Sequence, residues 1–330
     1  MLPSLDELLG TACVVALPLT TRFRGLESRE ALLLRGPHGW TEFSPFVEYD
    51  EAESAAWLRA AIDFGWHEAP ALLRTSVPVN ATVPAVEPAD VAGVLARFPG
   101  CRTAKVKVAA SDQTLADDVA RVRAVREALG AEGRIRVDAN GRWNVDEAEH
   151  ALHALAGFDI EYVEQPCATV EELVEIRFRT RYMGIPIAAD ESVRRAEDPL
   201  AVARAGAADI LVVKAQPLGG IRAALALTAE AGLPVVISSA LETSIGISMG
   251  AHLAAAIPDL SFDCGLGTAA LLAADVTTEP LVPFQGHVAV RRVTPDAALL
   301  ERYAAAGDRR DWWLKRLAGT HALLTGPRIN

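Results

Sequence analysis

Short apolar runs alternate with longer amphipathic segments from about residue 77 to residue 265. The runs have the length of buried strands, whereas the intervening segments repeat their apolar residues at helical spacing. Strands that alternate with helices form parallel βαβ units. About eight runs can be counted, at 77–83, 103–108, 134–140, 160–166, 185–192, 208–215, 234–239 and 260–265. This number predicts a (β/α)₈-type barrel, and an open doubly wound sheet is the competing arrangement.

Residues 1–76 follow a different pattern, in which extended runs come first and one helix follows. Apolar runs at 11–19 and 30–36 predict two strands separated by a polar turn at 20–29, and GWTEFSPF adds a third extended piece. The segment 50–65 predicts a helix, with Asp50 as its N-cap and Gly65 near its end. We therefore expect an α+β domain at this end of the chain.

From about residue 290 the chain is helical and amphipathic and no longer fits the βα repeat. We expect it to pack back on the N-terminal domain, with GTHALLTGPRIN as a loose tail. The predicted division is an α+β capping domain at 1–76, a barrel at 77–285 and a C-terminal segment at 286–330 that completes the capping domain.

The composition narrows the classes of function. The 330 residues carry a net charge of −11 without a run of Lys or Arg, which argues against a nucleic acid or an anionic membrane as partner. The N-terminus lacks the basic start of a signal peptide, and no apolar stretch of about 18 residues or more predicts a transmembrane helix. Four scattered cysteines without a CxxC pair indicate reduced thiols. We expect a cytoplasmic protein.

Polar residues lie at or near the carboxyl end of most predicted strands. They follow one another at intervals of 24 to 31 residues, about one βα unit each. The residues are Lys107, Asp138, Glu164, Asp190, Lys214 and Ser238. In a barrel the carboxyl ends form one ring, where barrel enzymes keep their active sites, whereas in an open sheet only those near the switch point would meet. The spacing therefore favours a barrel with a site at that face.

Three of these residues are carboxylates from consecutive strands. Asp138, Glu164 and Asp190 would repel one another strongly unless a positive charge lay between them. Ligand sets made only of oxygen favour a hard divalent cation, Mg²⁺ first. For any one of them alone, an acid that caps the next helix is an equally simple explanation. Three in register predict a metal site.

Two lysines lie on the strands that flank these carboxylates. Lys107 and Lys214 would face each other across a metal in a closed ring, as an acid/base pair on opposite faces of a carboxylate substrate. An ordinary ion pair with a neighbouring acid is the alternative for each lysine. Lys105 precedes Lys107 by two residues, so both point to the inner face, and its charge would lower the pKa of Lys107.

Five segments carry a resemblance to a known family: KVK with Lys107, VDAN with Asp138, VEQP with Glu164, ADES with Asp190 and VVKA with Lys214. Together they resemble the enolase superfamily, in particular its muconate-cycloisomerase-like branch. The resemblance implies an α/β fold, a modified (β/α)₇β TIM-type barrel with an N-terminal α+β capping domain completed by the C-terminal segment.

Further segments are most similar to the o-succinylbenzoate synthase family of actinobacterial type. These are TRFRG, GWTEFSPFVEYD, VISSALETSIG and DCGLGT. The chain departs from the commoner motif GEFSP, because Thr41 precedes Glu42 where that motif has glycine. The resemblance implies the Mg²⁺-dependent syn-dehydration of 2-succinyl-6-hydroxy-2,4-cyclohexadiene-1-carboxylate in menaquinone biosynthesis, with Mn²⁺ as a possible substitute. Lys107 would remove the α-proton, Lys214 would stabilise the enediolate, and Asp138, Glu164 and Asp190 would hold the metal.

The resemblance also implies residues that contact the substrate. These are Asn140, Ser238, Gly265 and, on the loop of the capping domain, Arg22 and Arg24. An ordinary solvated turn is the alternative for the two arginines. We expect the partner to be a small-molecule carboxylate and the protein to be a monomer or a small homo-oligomer.

Other reactions remain open on the same scaffold. N-succinylamino acid racemase, dipeptide epimerase and muconate cycloisomerase activity would use a similar set of residues. The absence of a recognisable aspartate pair after strand 8 disfavours the epimerase. A catalytically silent metal-binding paralogue is the alternative that is not an enzyme.

Overall fold

The computed structural model describes residues 2–23, 25–194 and 198–326. The chain begins with α1 (Leu5–Leu9) and an antiparallel sheet of β1 (Cys13–Phe23), β2 (Leu26–Gly36) and β3 (Gly39–Phe43), followed by α2 (Glu51–Trp66). We call this unit the cap. The side chain of Asp50 caps α2 by accepting from the backbone N–H of Glu53, as predicted.

The predicted polar turn at 20–29 is wrong in its length. β1 and β2 continue into it from both sides and pair up to Phe23 and Leu26. Exposed residues alternate with half-buried ones from Pro18 to Arg22, and Phe23 at the end of β1 is buried. An antiparallel strand can carry polar side chains on its solvent-facing side. The polar residues of this segment were therefore read as a turn although they belong to strands.

The centre of the protein is a parallel sheet in the order β11-β10-β9-β8-β7-β6-β5. Its strands are β5 (Ala81–Val83), β6 (Thr103–Lys107), β7 (Arg134–Asp138), β8 (Ile160–Glu164), β9 (Ile187–Ala189), β10 (Ile210–Lys214) and β11 (Val235–Ser238). The segment at 264–265 connects the two edges, because Gly265 bridges Ser238 of β11 and Cys264 bridges Val79 next to β5. The predicted barrel with an N-terminal cap is thus confirmed.

The predicted strand at 77–83 divides into two. β4 (Ser76–Pro78) pairs antiparallel with β12 (His287–Ala289), and only β5 joins the parallel sheet. Between them, the backbone N–H of Asn80 donates to Cys264 O at 2.9 Å. One apolar run therefore serves two sheets, which periodicity cannot distinguish from one strand.

Helices cover the outside of the sheet. They are α3 (Val91–Leu95), α4 (Leu115–Leu129), α5 (Val145–Leu155), α6 (Val170–Thr180), α7 (Glu191–Arg194), α8 (Ala201–Arg204), α9 (Ile221–Ala231) and α10 (Ser244–Ala256). Capping boxes begin α4, α5 and α6, with Thr114, Asn144 and Thr169 as the N-cap residues. Helix α10 is buried along almost its whole length. No helix in the described ranges is both long and apolar enough to cross a membrane.

The C-terminal residues form α11 (Ala297–Arg302) and α12 (Gly307–Thr325), and α12 packs on α2 of the cap. The Trp313 ring meets the ring of Phe43 edge-on at 6.0 Å, and Arg316 donates to the carbonyl oxygens of Phe46 and Tyr49. The predicted loose tail is wrong up to Thr325, since α12 extends to that residue. His321 is buried and bonds to Pro3 O.

Candidate active site

The parallel strands end in the polar residues on which the sequence prediction depends. Lys107, Asp138, Glu164, Lys214 and Ser238 are the last residues of β6, β7, β8, β10 and β11, and Asp190 directly follows β9. The register pairs Lys107 with Asp138, Asp138 with Glu164, and Lys214 with Ser238. The structure thus brings all six residues to the carboxyl-terminal end of the parallel sheet.

A pocket opens at this end of the parallel sheet. The barrel contributes Thr82, Lys105, Lys107, Asn140, Asp190, Lys214, Ser238, Ser239, Ala240, Leu241, Gly265 and Thr268, and the cap contributes Phe23 and Phe46. Asp138 and Glu164 are fully buried behind this lining. Lysines therefore face the open space, and most of the carboxylate charge lies below them.

Each carboxylate accepts a hydrogen bond from a lysine. Lys107 Nζ lies 2.5 Å from Asp138 Oδ2, and Lys214 Nζ lies 2.5 Å from Asp190 Oδ2. Lys105 Nζ lies between two acids, 2.9 Å from Glu164 Oε1 and 3.2 Å from Asp138 Oδ2. These buried charges are paired, as burial away from water requires.

The carboxyl groups differ in pKa because their partners differ. Burial alone would raise all three, but Lys107 and Lys105 hold the pKa of Asp138 far below its usual range. Lys214 and Arg194 outweigh burial at Asp190 and lower its pKa to about 2. At Glu164, burial and repulsion by Asp138 raise the pKa to about 7. Glu164 therefore has the least stabilised negative charge in the site.

The two neighbouring lysines are shifted in opposite directions. Burial lowers the pKa of Lys107, and the charge of Lys105 lowers it further, while Asp138 acts against both. Burial would also lower the pKa of Lys105, but Glu164 and Asp138 raise it above its ordinary value. Lys105 thus stays charged and favours the neutral form of Lys107, as predicted from their spacing.

The donor set of Asp138, Glu164 and Asp190 fits a hard divalent cation, because all its donors are carboxylate oxygens. The Lys105 ammonium already lies between Asp138 and Glu164, so the two acids share one cation. Among the residues that the structure describes, no group of three acid, His or Cys side chains is drawn together as a preformed metal site. The carboxylates point to lysines instead.

Asn140 connects Lys107 to a second charged group. Its Oδ1 accepts from Lys107 Nζ at 2.9 Å, and its Nδ2 donates to Glu191 Oε1 at 3.2 Å. The backbone at Asn140 has a φ of 50°, a left-handed conformation that Asn tolerates better than most residues. Arg194 also binds Glu191 and Asp190, and it donates to Tyr49 OH of the cap. Glu191 and Arg194 were not among the predicted site residues, although both belong to the ADES segment or its continuation.

Ser238 and Gly265 both line the pocket and lie side by side. A Cβ on Gly265 would lie 2.4 Å from Ser238 Oγ and 3.1 Å from Ser238 Cβ. A side chain at position 265 would therefore force Ser238 to shift.

Within the described residues, the structure does not place either of the two predicted arginines of the cap in the pocket. Arg22 is exposed and its Nε donates to Gly25 O at 3.3 Å, across the hairpin turn, and it does not line the pocket. Arg24 lies outside the described residues. Between them, Phe23 reaches the pocket, with the Lys107 ammonium 5.6 Å from its ring centroid. Phe23 was not among the predicted site residues, although it shares a face of β1 with the half-buried Leu19 and Thr21.

The family of the chain follows from comparison with known proteins. Residues 89–296 match the enolase C-terminal domain-like family, and residues 14–65 match the enolase N-terminal domain-like family. The o-succinylbenzoate synthase of Mycolicibacterium smegmatis is 54% identical over 98% of both chains. That of Mycobacterium ulcerans is 53% identical over 97% of this chain and 96% of the relative. The chain belongs to the o-succinylbenzoate synthase family of the enolase superfamily.

Solved structures agree with this assignment at the level of the fold. A muconate lactonizing enzyme from Pseudomonas fluorescens has a TM-score of 0.75 and 23% identity, and covers 89% of this chain and 98% of its own. A 2-chloromuconate cycloisomerase from Rhodococcus opacus 1CP has a TM-score of 0.74 and 23% identity, with 90% and 98% covered. Thus, the fold of the o-succinylbenzoate synthase family is shared with muconate cycloisomerases, and the predicted resemblance is confirmed.

Proposed function

We propose that the chain catalyses the Mg²⁺-dependent syn-dehydration of 2-succinyl-6-hydroxy-2,4-cyclohexadiene-1-carboxylate to 2-succinylbenzoate, a step of menaquinone biosynthesis. The observation that carries the proposal is that Lys107 and Lys214 face one pocket from β6 and β10, with three strands between them. Identity of 54% to enzymes named o-succinylbenzoate synthase supports this substrate.

Lys107 is the base in this proposal. Its neutral amine would form an N–H bond with the proton α to the substrate carboxylate, and the C–H electron pair would delocalise onto the carboxylate oxygens. The ring C–O bond to the hydroxyl then breaks, and Lys107 returns its proton so that water leaves from the same face. Burial and the charge of Lys105 assist the first step, because both lower the pKa of Lys107. The ring becomes aromatic, which favours the products.

Lys214 would remain an ammonium held by Asp190 and stabilise the negative charge from the other side. Asp138, Glu164 and Asp190 are the residues that would hold Mg²⁺, with Mn²⁺ as a possible substitute. When bound, the divalent cation would neutralise charge on the substrate carboxylate.

We assign the succinyl tail to the side of the pocket formed by Ser238 and Gly265, and Asn140 to the orientation of Lys107. Contacts from Arg22 and Arg24 to the tail carboxylate stay a prediction. Four further statements also stay predictions. They are the cytoplasmic location, the monomeric or small homo-oligomeric state, the absence of a nucleic-acid partner, and the domain limits at 76/77 and 285/286. The acidic net charge of −11 supports the absence of nucleic-acid binding.

Purified protein with Mg²⁺ and the cyclohexadiene substrate tests the proposal, with formation of the aromatic product followed by absorbance. We expect turnover with Mg²⁺. No turnover, with racemisation of N-succinylamino acids, would overturn the assignment in favour of a racemase that uses the same lysines. No activity toward either substrate would favour a silent paralogue.

A further inference from the structure

One wall of the pocket is a loop between β11 and α10. Ser239, Ala240 and Leu241 line the pocket there, next to Ser238. Leu241 has a φ of 63°, a left-handed conformation that leucine rarely adopts. Such a conformation persists only where the surroundings hold it in place. We call residues 239–243 the wall loop.

The cap holds this loop from behind through Arg29, a buried residue of β2. Arg29 Nε donates to Leu241 O at 3.1 Å, and its Nη2 reaches Ala240 O at 3.4 Å. The same guanidinium donates to Ser44 O after β3 and lies 4.6 Å from the ring centroid of Phe46, which lines the pocket. One side chain thus connects two parts of the pocket lining.

A second residue of the cap holds the other end of the wall loop. Glu42 Oε2 accepts from Thr243 Oγ1 at 2.6 Å, from the Thr243 backbone N–H at 3.2 Å and from Gly246 N–H at 3.0 Å. Its Oε1 accepts from Ser44 Oγ at 2.6 Å. A carboxylate at the N-terminus of α10 is favourable because unpaired N–H groups point toward it. The EFS segment of the cap is therefore joined directly to the wall loop.

We propose that Arg29 and Glu42 are positioning residues that set the shape of the wall loop and thereby the fit of the succinyl tail. The reacting carbon lies toward Lys107 and Lys214, on the strand ends, so the loop governs binding of the tail more than the chemical step. The choice of the succinyl tail as the occupant rests on the proposed function.

The experiment compares Arg29→Met, Arg29→Lys and wild type. We expect Arg29→Met to raise KM about tenfold and to change kcat less than about threefold, because a displaced wall weakens tail binding without removing a reacting group. Inhibition by 2-succinylbenzoate should weaken about as much as KM rises, while inhibition by benzoate, which lacks the tail, should not change. Arg29→Lys should restore part of the loss, since lysine can still donate to a carbonyl oxygen.

Arg222→Met is the matched control. Arg222 on α9 forms an exposed ion pair with Asp63 of the cap at 2.6 Å, so its loss removes a contact between the cap and the barrel away from the pocket. We expect wild-type KM for this variant. If Arg29→Met changes 2-succinylbenzoate and benzoate inhibition equally, or leaves KM unchanged, the proposal is wrong.

Hydrogen exchange of the ligand-free protein distinguishes this inference from the proposed function. Amides at 239–243 should exchange faster in Arg29→Met than in wild type, and at the wild-type rate in Arg222→Met. Unchanged exchange at 239–243 would refute the positioning role even if the enzyme is active. Absence of turnover by wild type, with faster exchange in Arg29→Met, would refute only the proposed function and the choice of tail. If Arg29→Met does not fold, the same comparisons are made with Arg29→Lys, which should show smaller changes in the same direction.

Discussion

The ammonium group of Lys105 donates to both carboxylate oxygens of Glu164, at 2.9 and 3.0 Å, in the interior of the barrel. Both side chains are buried, so each is the main compensation for the other's lost hydration. Glu164 nevertheless keeps a raised pKa, of about 7, because burial and the repulsion by Asp138 together outweigh the charge of Lys105. The Lys105–Glu164 ion pair therefore stabilises the fold. The positive charge near Glu164 is nevertheless too small to compensate for its burial and its repulsion by Asp138.

Replacing Lys105 should destabilise the metal-free protein. We expect Lys105→Met to lower the free energy of unfolding at pH 8 by about 3–5 kcal/mol, since Glu164 is left buried without its partner. Urea unfolding in the presence of EDTA measures this change. Lys105→Arg keeps the charge and should lose less. An unchanged midpoint in Lys105→Met would contradict the pairing.

Replacing either lysine of the proposed acid/base pair should stop the reaction. We expect Lys107→Ala and Lys214→Ala each to lower kcat by about 10²- to 10⁴-fold or more, with the circular dichroism spectrum of wild type. Lys315→Ala is the control, because Lys315 is exposed on α12. An active Lys107→Ala protein would exclude Lys107 as the base.

Removing the divalent cation should silence the enzyme reversibly. EDTA is expected to abolish turnover, and Mg²⁺ to restore it, because three oxygen donors at adjacent strand ends suit such an ion. Asp190→Asn should weaken Mg²⁺ binding measured by calorimetry by about tenfold or more. Activity that survives complete removal of metal would refute the assignment of the carboxylates.

A side chain at position 265 should impair substrate binding while Ser238 is present. Gly265→Ala places a Cβ 2.4 Å from Ser238 Oγ and 3.1 Å from Ser238 Cβ, so the two residues must move apart and narrow the pocket. We expect KM to rise by about tenfold. Adding Ser238→Ala removes the shorter contact and should recover part of this loss. A double variant that is as impaired as Gly265→Ala with respect to KM would show that the clash is not the cause.

The stability of the protein should depend on pH through Glu42. Burial, and next the repulsion by Glu242, raise the pKa of Glu42 to about 7 from an ordinary value of 4.5. An acid whose pKa is raised on folding contributes to the free energy of unfolding. For Glu42 this contribution is fully present below pH 4.5 and is lost as the pH rises through 7. Its upper size is about 3 kcal/mol.

We therefore expect the unfolding free energy of wild type to fall between pH 5 and pH 8, on the order of a few kcal/mol in total. Glu42→Gln is uncharged throughout and should show a shallower slope. Denaturant unfolding at several pH values measures both proteins. Equal slopes in wild type and Glu42→Gln would rule out Glu42 as the titrating group.

Much of the site could be predicted because it depends on local properties of the chain. A strand ends where its apolar run ends, and a βα unit has a nearly constant length, so Lys107, Asp138, Glu164 and Lys214 fall at the same edge whatever the details of packing. The alternation of lysines at 105 and 107 likewise follows from the strand period. Three of the four lysines in the chain lie in this site.

The sequence by itself thus indicated the barrel, the ring of charged strand ends and the placement of Lys105 and Lys107 on the same face of β6. The tertiary structure alone decided which lysine pairs with which acid, and that Phe23 rather than Arg22 reaches the pocket. It also decided the contact of Arg29 with Leu241, across 212 positions of the chain. No local pattern encodes such a contact, because it depends on how the cap docks on the barrel, and docking is a property of the packed surfaces.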